Sequence, residues 1–271
     1  MNIAVSNIAW DLSEEHQAAE LLQRKKIKGV EIAPTKIWPS PLEAGEESIA
    51  AYRKWWTERG IAIVAFQALL FGRPDLTLFE SPAVREETFA YLSGIIRLAS
   101  ALGAKVLVFG SPKNRLVGEQ DRERVWETAV DFFRRLGEQA EAENTVFCIE
   151  PNAAAYGCDF IQTAREGLEL VRRVNHRGFG LHLDAGVLTL NEEPYEKILE
   201  ESIDCLVHFH ISEPHLALIG EGKTDHHRIA TSLKTLNYPG WVSIEMRNGL
   251  KTSNLEAVEQ ALDFVLTYYG S

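Results

Sequence analysis

The sequence predicts a single α/β domain over residues 1–271 that folds as one (β/α)8 TIM barrel. Three observations support this prediction. Strand-like apolar runs alternate with amphipathic helical patterns eight times, and the chain has the usual length of one such barrel, about 250 residues. No GxGxxG or GxxxxGKS/T turn follows a strand, although nucleotide-binding open sheets usually carry one. We therefore expect a closed parallel barrel.

The first four strands are short apolar runs, typical of strands buried on both faces. They are predicted at Ile3–Val5, Gly29–Ile32, Ile61–Phe66 and Lys105–Phe109. Ser81-Pro82 predicts a helix start between strands three and four, because Ser caps a helix and Pro suits its first turn. Ser253 and Glu256 have capping-box spacing and predict a last helix that ends near Gly270.

The last four strands have the same composition, and each ends in an acidic or imidazole side chain. They are predicted at Val146–Glu150, Phe179–Asp184, Cys205–His210 and Trp241–Glu245. Their last residues are separated by 34, 26 and 35 positions, close to the ~30 residues of one strand-helix unit. Because all strands of a barrel direct their carboxyl ends to one mouth, we expect Glu150, Asp184, His210 and Glu245 to converge there.

This quartet predicts one metal site. Three carboxylates and one imidazole form an oxygen-rich set that suits Mn²⁺ or Mg²⁺ better than a thiolate metal, with Co²⁺ and Zn²⁺ left open. Carboxylates buried without a partner are costly, and a cation relieves that cost. We expect one divalent metal, with Mn²⁺ as the first choice.

Strand parity nominates further site residues, because side chains two apart along a strand share a face. Asn152 and Arg247 accompany Glu150 and Glu245 at the mouth, while His182 accompanies Asp184. We therefore predict that Asn152, His182 and Arg247 contact the substrate. His208 is expected deeper, in a structural role.

Composition limits the partners. The 39 acidic and 28 basic residues give a formal charge of −11, which argues against a nucleic-acid partner, because such binding depends on Lys and Arg neutralising phosphates. Three cysteines without a CxxC spacing predict neither a disulfide framework nor a zinc ribbon. No basic leader and no apolar run of about 18 residues is present, so we expect a cytoplasmic protein without a membrane partner.

Five motifs carry a resemblance to a known family: Ile149-Glu150-Pro151-Asn152, His182-Leu183-Asp184-Ala185-Gly186, His208-Phe209-His210-Ile211-Ser212-Glu213, Gly220-Glu221-Gly222 and Trp241-Val242-Ser243-Ile244-Glu245. Through them the chain resembles the xylose isomerase-like TIM barrels, a superfamily of sugar and sugar-phosphate isomerases and epimerases, and most closely its ketose 3-epimerases. The resemblance covers nearly the whole chain. In this family's architecture Glu31, at the end of strand two, and Gln67, after strand three, are further expected substrate contacts at the mouth.

The resemblance implies a role for each member of the quartet. Glu150, Asp184, His210 and Glu245 would hold the metal, which would chelate a sugar carbonyl and the neighbouring hydroxyl and acidify the proton between them. Glu150 and Glu245 would lie on opposite faces of the substrate, one removing the proton and the other returning it through an enediolate. Two bases permit epimerisation, whereas one base moving the proton between adjacent carbons gives isomerisation.

Two positions depart from the ketose 3-epimerase pattern. Those enzymes carry a His three residues beyond the Asp ligand and an Arg six beyond the His ligand, where this chain has Val187 and Leu216. Substrate contacts are therefore expected to differ, with His215 or Arg247 as candidate replacements.

Other functions remain open on the same barrel. A metal-dependent dehydratase of cyclic polyols or hydroxy acids needs the same metal and base, so sequence does not separate it from an epimerase. An endonuclease IV-like nuclease is disfavoured by the acidic charge and by Val187, and a non-catalytic sugar-binding barrel is disfavoured by the intact pair of Glu150 and Glu245. We expect a small-molecule carbohydrate as substrate and leave a homo-oligomer open.

Overall fold

The computed structural model describes residues 1–270 and contains a closed barrel of eight parallel strands in the order β1 to β8. This arrangement confirms the predicted (β/α)8 fold. The strands are β1 (Asn2–Ser6), β2 (Gly29–Ile32), β3 (Ala62–Phe66), β4 (Val106–Phe109), β5 (Val146–Ile149), β6 (Phe179–Asp184), β7 (Leu206–Ser212) and β8 (Trp241–Glu245). Each predicted strand is present with ends within two residues of the prediction, and Glu150 lies just beyond β5.

Ten α-helices cover the barrel or form its loops within the described residues. They are α1 (Glu15–Arg24), α2 (Pro34–Ile37), α3 (Glu46–Thr57), α4 (Pro82–Leu102), α5 (Arg122–Ala142), α6 (Ala164–Val174), α7 (Ala185–Leu190), α8 (Tyr195–Ser202), α9 (His226–Thr235) and α10 (Asn254–Tyr269). Among residues 1–270, none of these helices is both long and apolar enough to cross a membrane.

The predicted helix caps form. Ser81 accepts a hydrogen bond from the backbone N–H of Val84 at 3.2 Å, and Ser253 accepts one from Glu256 at 3.3 Å. Each cap satisfies one of the free N–H groups that every helix start exposes. α10 ends at Tyr269, one residue before Gly270, as the sequence predicts.

The interior of the barrel changes character along the strands. Near their amino ends a small apolar cluster fills it, formed by Ala4, Val64, Ala65, Val106, Val108 and Cys148. Beyond that cluster the interior holds buried polar side chains, among them Ser6, Glu31, His182, His208, His210 and Ser243. A larger apolar core lies between the barrel and its helices. The polar layer therefore lies at the carboxyl ends of the strands, where the loops enclose a mouth.

Candidate active site

The predicted quartet converges at the mouth of the barrel. Glu150 follows β5, Asp184 ends β6, His210 lies in β7 and Glu245 ends β8. The strand register aligns them, because Asp184 pairs with His210 and Glu245 pairs with Ser212. One ligand atom from each of the four lies within 4.8 Å of the others. The structure thus brings together four donors from separate strands, and their binding of a metal stays a prediction.

Asp184 is held in place by two hydrogen bonds. Its Oδ1 accepts from the backbone N–H of Val187 at 2.7 Å, so it also caps α7, and its Oδ2 accepts from the hydroxyl of Ser212 at 2.5 Å. Nδ1 of His210 lies 3.1 Å from Oε2 of Glu245 and 3.9 Å from Oδ2 of Asp184. The carboxylates and the imidazole therefore face a common point.

The opposite nitrogen of His210 is held by Glu31. Nε2 of His210 lies 3.1 Å from both carboxylate oxygens of Glu31, and Nε2 of His208 lies 3.4 Å from one of them. Burial disfavours a charged Glu31, but His210 and His208 outweigh it and hold the pKa of Glu31 well below its ordinary value. A carboxylate at Nε2 places the imidazole proton there and leaves Nδ1 for the common point.

The acidic groups disfavour one another's ionisation. Burial first, and then the charge of Glu245, raise the pKa of Glu150 to about 8 and that of Asp184 to about 6. For His210, burial disfavours protonation, but Glu245 and Glu31 outweigh it and raise the pKa of the imidazole well above its ordinary value. A divalent cation among these groups would relieve the repulsion, so the donor set fits a hard metal ion.

Two residues after β4 make room for Glu150 and fix its backbone. A Cβ atom at Gly110 would overlap Oε2 of Glu150, so any larger residue would force this carboxylate to move from its present position. The fully buried guanidinium of Arg115 donates to the carbonyl oxygens of Glu150 at 2.8 Å and Phe160 at 3.0 Å, and also to that of Gly110. Both roles depend on contacts between loops, and the sequence carries no signal for them.

A cavity of about 460 Å³ opens above the quartet. Glu150, Asp184 and Glu245 line its floor, and the surrounding wall contains Gln67, Ser111, Asn152, Tyr156, Val187 and Leu216. A volume of this order accommodates a small molecule such as a monosaccharide. Both positions that depart from the ketose 3-epimerase pattern, Val187 and Leu216, therefore lie in the wall of the cavity.

The remaining predicted substrate contacts are distributed unevenly. Asn152 and Gln67 line the cavity, as expected for contacts at the mouth. Arg247 is exposed and is not among the lining residues, although its backbone N–H donates to the carbonyl of Leu216 at 3.1 Å. The substrate-binding roles of Asn152, Gln67 and Arg247 therefore stay predictions.

Glu31 and His182 lie next to His210 and are not among the residues that line the cavity. Both are fully buried, and the ring of His182 lies 4.1 Å from that of His210. Glu31, expected at the mouth, is fully buried with its carboxylate 3.1 Å from Nε2 of His210, and its role as a substrate contact stays a prediction. His208 is buried beside them, as parity predicts.

The Gly220-Glu221-Gly222 and Asp225-His226-His227 motifs serve the loop after β7. The buried carboxylate of Glu213 accepts from the N–H groups of Gly220 and Gly222 at 3.2 Å each and lies 3.3 Å from Nε2 of His226. Asp225 caps α9 by accepting from the N–H of Arg228 at 3.1 Å. These residues fix the loop that carries His215 and Leu216.

Several cavity residues lie in strained loops, and of these Ala68 and Ser111 were not anticipated from the sequence. Ala68, Ser111, His215 and Leu216 all have positive φ angles, between 39° and 62°, and all line the cavity. Such conformations are unfavourable for residues other than glycine and persist where surrounding contacts enforce them. The hydroxyl of Tyr156 supplies one such contact by accepting from the N–H of His215 at 2.9 Å.

A family model described as the xylose isomerase-like TIM barrel matches residues 19–268. The D-psicose 3-epimerase of Ruminiclostridium cellulolyticum is 27% identical over 125 residues, which span 46% of this chain and 42% of that enzyme. The crystal structure of D-psicose 3-epimerase with D-tagatose from Clostridium cellulolyticum H10 shares the fold with a TM-score of 0.84 at 18% identity over the full length of both chains. The IOLI protein with a zinc atom does so with a TM-score of 0.77 at 20% identity, again over both full chains.

Proposed function

Because the chain belongs to the xylose isomerase-like TIM barrel family, we propose that it is a divalent-metal-dependent carbohydrate epimerase or isomerase. It moves a proton on a carbon beside a carbonyl, using Glu150 and Glu245. The similarity to ketose 3-epimerases supports this proposal, although the aligned segment spans less than half of the relative's length.

One observation carries the proposal. Three carboxylates and one imidazole from four strands meet at the floor of a cavity of monosaccharide size. A purely structural cluster would pair each buried carboxylate with a cation, yet the lining of this cavity contains no Lys or Arg. The excess negative charge favours a bound metal, with Mn²⁺ as the first choice and Mg²⁺, Co²⁺ and Zn²⁺ as alternatives.

Glu150, Asp184, His210 and Glu245 would hold the metal, which when bound acts as a Lewis acid towards a sugar carbonyl and its neighbouring hydroxyl. The protein supplies the proton transfers. Glu150 and Glu245 reach the cavity from β5 and β8, which are not neighbours in the barrel, so their carboxylates approach from different sides. One accepts the carbon-bound proton, and the other returns a proton to the resulting enediolate.

The other site residues position these groups. Glu31 orients His210 through Nε2, Ser212 and the N–H of Val187 hold Asp184, and Gly110 leaves space for the carboxylate of Glu150. Since the donors are preorganised by buried contacts, little reorganisation is needed when a substrate enters.

Solvent deuterium incorporation tests the function. Protein loaded with Mn²⁺ is incubated in D₂O with free ketoses, aldoses, sugar phosphates and cyclic polyol ketones, and NMR follows exchange at the carbon beside the carbonyl. We expect exchange with one of these classes, and the product identifies an epimerase, an isomerase or a dehydratase. Absence of exchange in every class would contradict the proposal.

Variants connect the exchange to the two glutamates. Glu150→Gln and Glu245→Gln each remove a base while keeping the side-chain size, and we expect a loss of about 10²–10⁴-fold in exchange rate. Glu119→Gln, at an exposed position outside the cavity, is the matched control. Retention of metal and full turnover in both active-site variants would exclude the two-glutamate mechanism.

A further inference from the structure

The wall of the cavity is divided into two chemically different halves. The half formed by the loops after β3, β4 and β5 contains the polar side chains of Gln67, Ser111, Asn152 and Tyr156, with Ala68 and Pro112 between them. The half formed after β6 and β7 presents Val187 and Leu216, with His215 at the exposed rim. A ligand on the acidic floor therefore contacts a polar wall on one side and an aliphatic wall on the other.

The aliphatic half is rigidly built. Val187 lies in the first turn of α7, is 4% exposed, and donates its N–H to Asp184. α7 packs on the turn that carries Leu216, and Gly186 allows this contact because a Cβ there would lie 2.7 Å from the backbone carbon of Glu213. These two side chains are thus held beside the floor of the cavity.

Leu216 is kept in place although its backbone is strained. Its φ angle is 55°, a conformation that leucine rarely adopts. Its N–H donates to the carbonyl of Glu213 at 3.1 Å, and its own carbonyl accepts from the N–H of Arg247 at 3.1 Å. Contacts that enforce an unfavourable conformation at a cavity wall indicate a functional position.

The polar half offers acceptors to hydroxyl groups. The amide nitrogen of Asn152 donates to the carbonyl of Pro151 at 3.0 Å, and that of Gln67 donates to the hydroxyl of Ser6. Among residues 1–270, no protein group donates to the side-chain oxygens of Asn152 or Gln67. These two oxygens are therefore available to accept hydrogen bonds from a polyol.

The wall of the cavity offers no cationic side chain to an anionic ligand. The floor holds three carboxyl groups, and no Lys or Arg lines the cavity. Arg115 is close in sequence to the cavity, but it is fully buried and donates to backbone carbonyl oxygens. The metal of the proposed function would offset the charge of the floor, but a phosphate or carboxylate at the far end of the substrate would find no Lys or Arg in the wall to bind it.

We propose that the substrate is an uncharged sugar with one oxygen-poor end, such as a deoxygenated terminal carbon or an alkyl substituent, which packs on Val187 and Leu216. The assignment rests on the proposed function for the orientation of the carbonyl and hydroxyls over the floor. It makes Leu216 a specificity-determining residue.

The test compares matched ligands on the Mn²⁺-loaded protein. Binding is measured by titration calorimetry for a free ketohexose, its 1-deoxy and 6-deoxy analogues, and its 6-phosphate, and solvent deuterium exchange is followed for the same four. We expect one deoxy analogue to bind roughly tenfold more tightly than the parent, and the phosphate at least tenfold more weakly. Equal or tighter binding of the parent over both deoxy analogues, or preference for the phosphate, overturns the proposal.

A variant links the preference to the wall. Leu216→Asn replaces the aliphatic group by a polar one of similar size, and Asn tolerates a positive φ, so folding is retained. We expect the deoxy preference to disappear in this variant. Leu12→Asn, at a leucine that is 47% exposed and outside the cavity, is the matched control and keeps the preference. An unchanged preference in Leu216→Asn overturns the assignment of this residue.

Binding and exchange separate this proposal from the proposed function. A deoxy preference in binding without exchange of any ligand contradicts the enzymatic function and leaves the wall assignment standing. Exchange accompanied by preference for the phosphate supports the enzymatic function and overturns the wall assignment. Failure of all four ligands to bind overturns the wall assignment, and the exchange experiment with the wider set of sugars then decides the enzymatic function separately.

Discussion

The two ends of the barrel interior come from the same strands but carry opposite side chains. Near the amino ends, Cys148 and Val108 belong to a buried apolar cluster. Two residues further along the same strands, Glu150 contributes to the acidic floor and Gly110 makes room for its carboxylate. The comparison shows that strand parity decides which side chains face inward, whereas the position along the strand decides whether they support packing or chemistry.

The largest expected effect is the contrast between a substitution at Gly110, just after β4, and one at Val108 within β4. In Gly110→Ala the new Cβ overlaps the carboxylate of Glu150, so we expect at least a 100-fold loss of activity. Val108→Ala, two residues earlier in the apolar cluster, should lower the free energy of unfolding by about 2 kcal/mol and leave the activity of folded protein nearly unchanged. Denaturant unfolding and steady-state kinetics on both variants measure the contrast. Equal activity in the two variants would remove the distinction between the ends.

The next prediction concerns the layer between the two ends. Glu31→Gln places an amide that can donate to Nε2 of His210, which shifts the ring proton towards Nδ1 and away from the tautomer needed by a ligand. We expect the affinity for Mn²⁺ to fall by about 10- to 100-fold. Titration calorimetry with Mn²⁺ measures the change, and Glu119→Gln is the control. Unchanged metal affinity would show that Glu31 serves packing alone.

Metal removal at different pH values tests the carboxylates at the floor of the cavity. Because burial and Glu245 raise the folded-state pKa of Glu150 to about 8 and of Asp184 to about 6, the protonated groups stabilise the metal-free protein at low pH. This contribution is complete below their ordinary values of 4.5 and 3.8 and is lost as the pH rises through about 6 and then about 8. Metal needs both groups ionised.

We therefore expect the increase in Tm on Mn²⁺ binding to be larger at pH 8 than at pH 6, with a difference of roughly 5 °C between the two increases. Differential scanning calorimetry of chelator-treated and reloaded protein measures the difference. The double variant Glu150→Gln/Asp184→Asn should lose this pH dependence. A metal effect of the same size at both pH values would contradict the assignment of the floor carboxylates as ligands.

The smallest expected effect lies in the apolar end. Burial, reinforced by Glu150 and Glu31, holds the pKa of the Cys148 thiol well above its ordinary value, so the thiol should not react with alkylating reagents in the folded protein. Cys148→Ala should cost about 1 kcal/mol of stability and leave the activity unchanged. Mass spectrometry of alkylated protein and a denaturant titration check both statements. Rapid native alkylation of Cys148 would show that this end opens to solvent.

Much of the architecture could be predicted, because the signals for it are local. Buried strands are marked by apolar runs such as Phe179–Asp184, and helix starts are marked by caps such as Ser81. The four ends of the last strands were also predictable, because the carboxyl ends of barrel strands open at one mouth. Val187 and Leu216 could be named as departures, but their shared place in the wall could not be predicted.

The rest depends on contacts between segments distant in the chain. The contact of Glu31 with His210 joins residues that are 179 positions apart in the chain. Tyr156 and Arg115 act through loop conformations, and loops carry too little periodicity to predict where a side chain points. The family resemblance suggested Glu31 as a mouth residue, and only the structure shows its carboxylate buried against His210.

By itself, the sequence determined the eight strand-helix units and the quartet of Glu150, Asp184, His210 and Glu245, because periodicity and strand ends are written in neighbouring residues. Only the tertiary structure decided the tautomer-setting contact of Glu31, the space that Gly110 leaves and the division of the cavity wall into a polar and an aliphatic half. Each of these depends on distances between strands and loops, which closure of the barrel sets and no local pattern encodes.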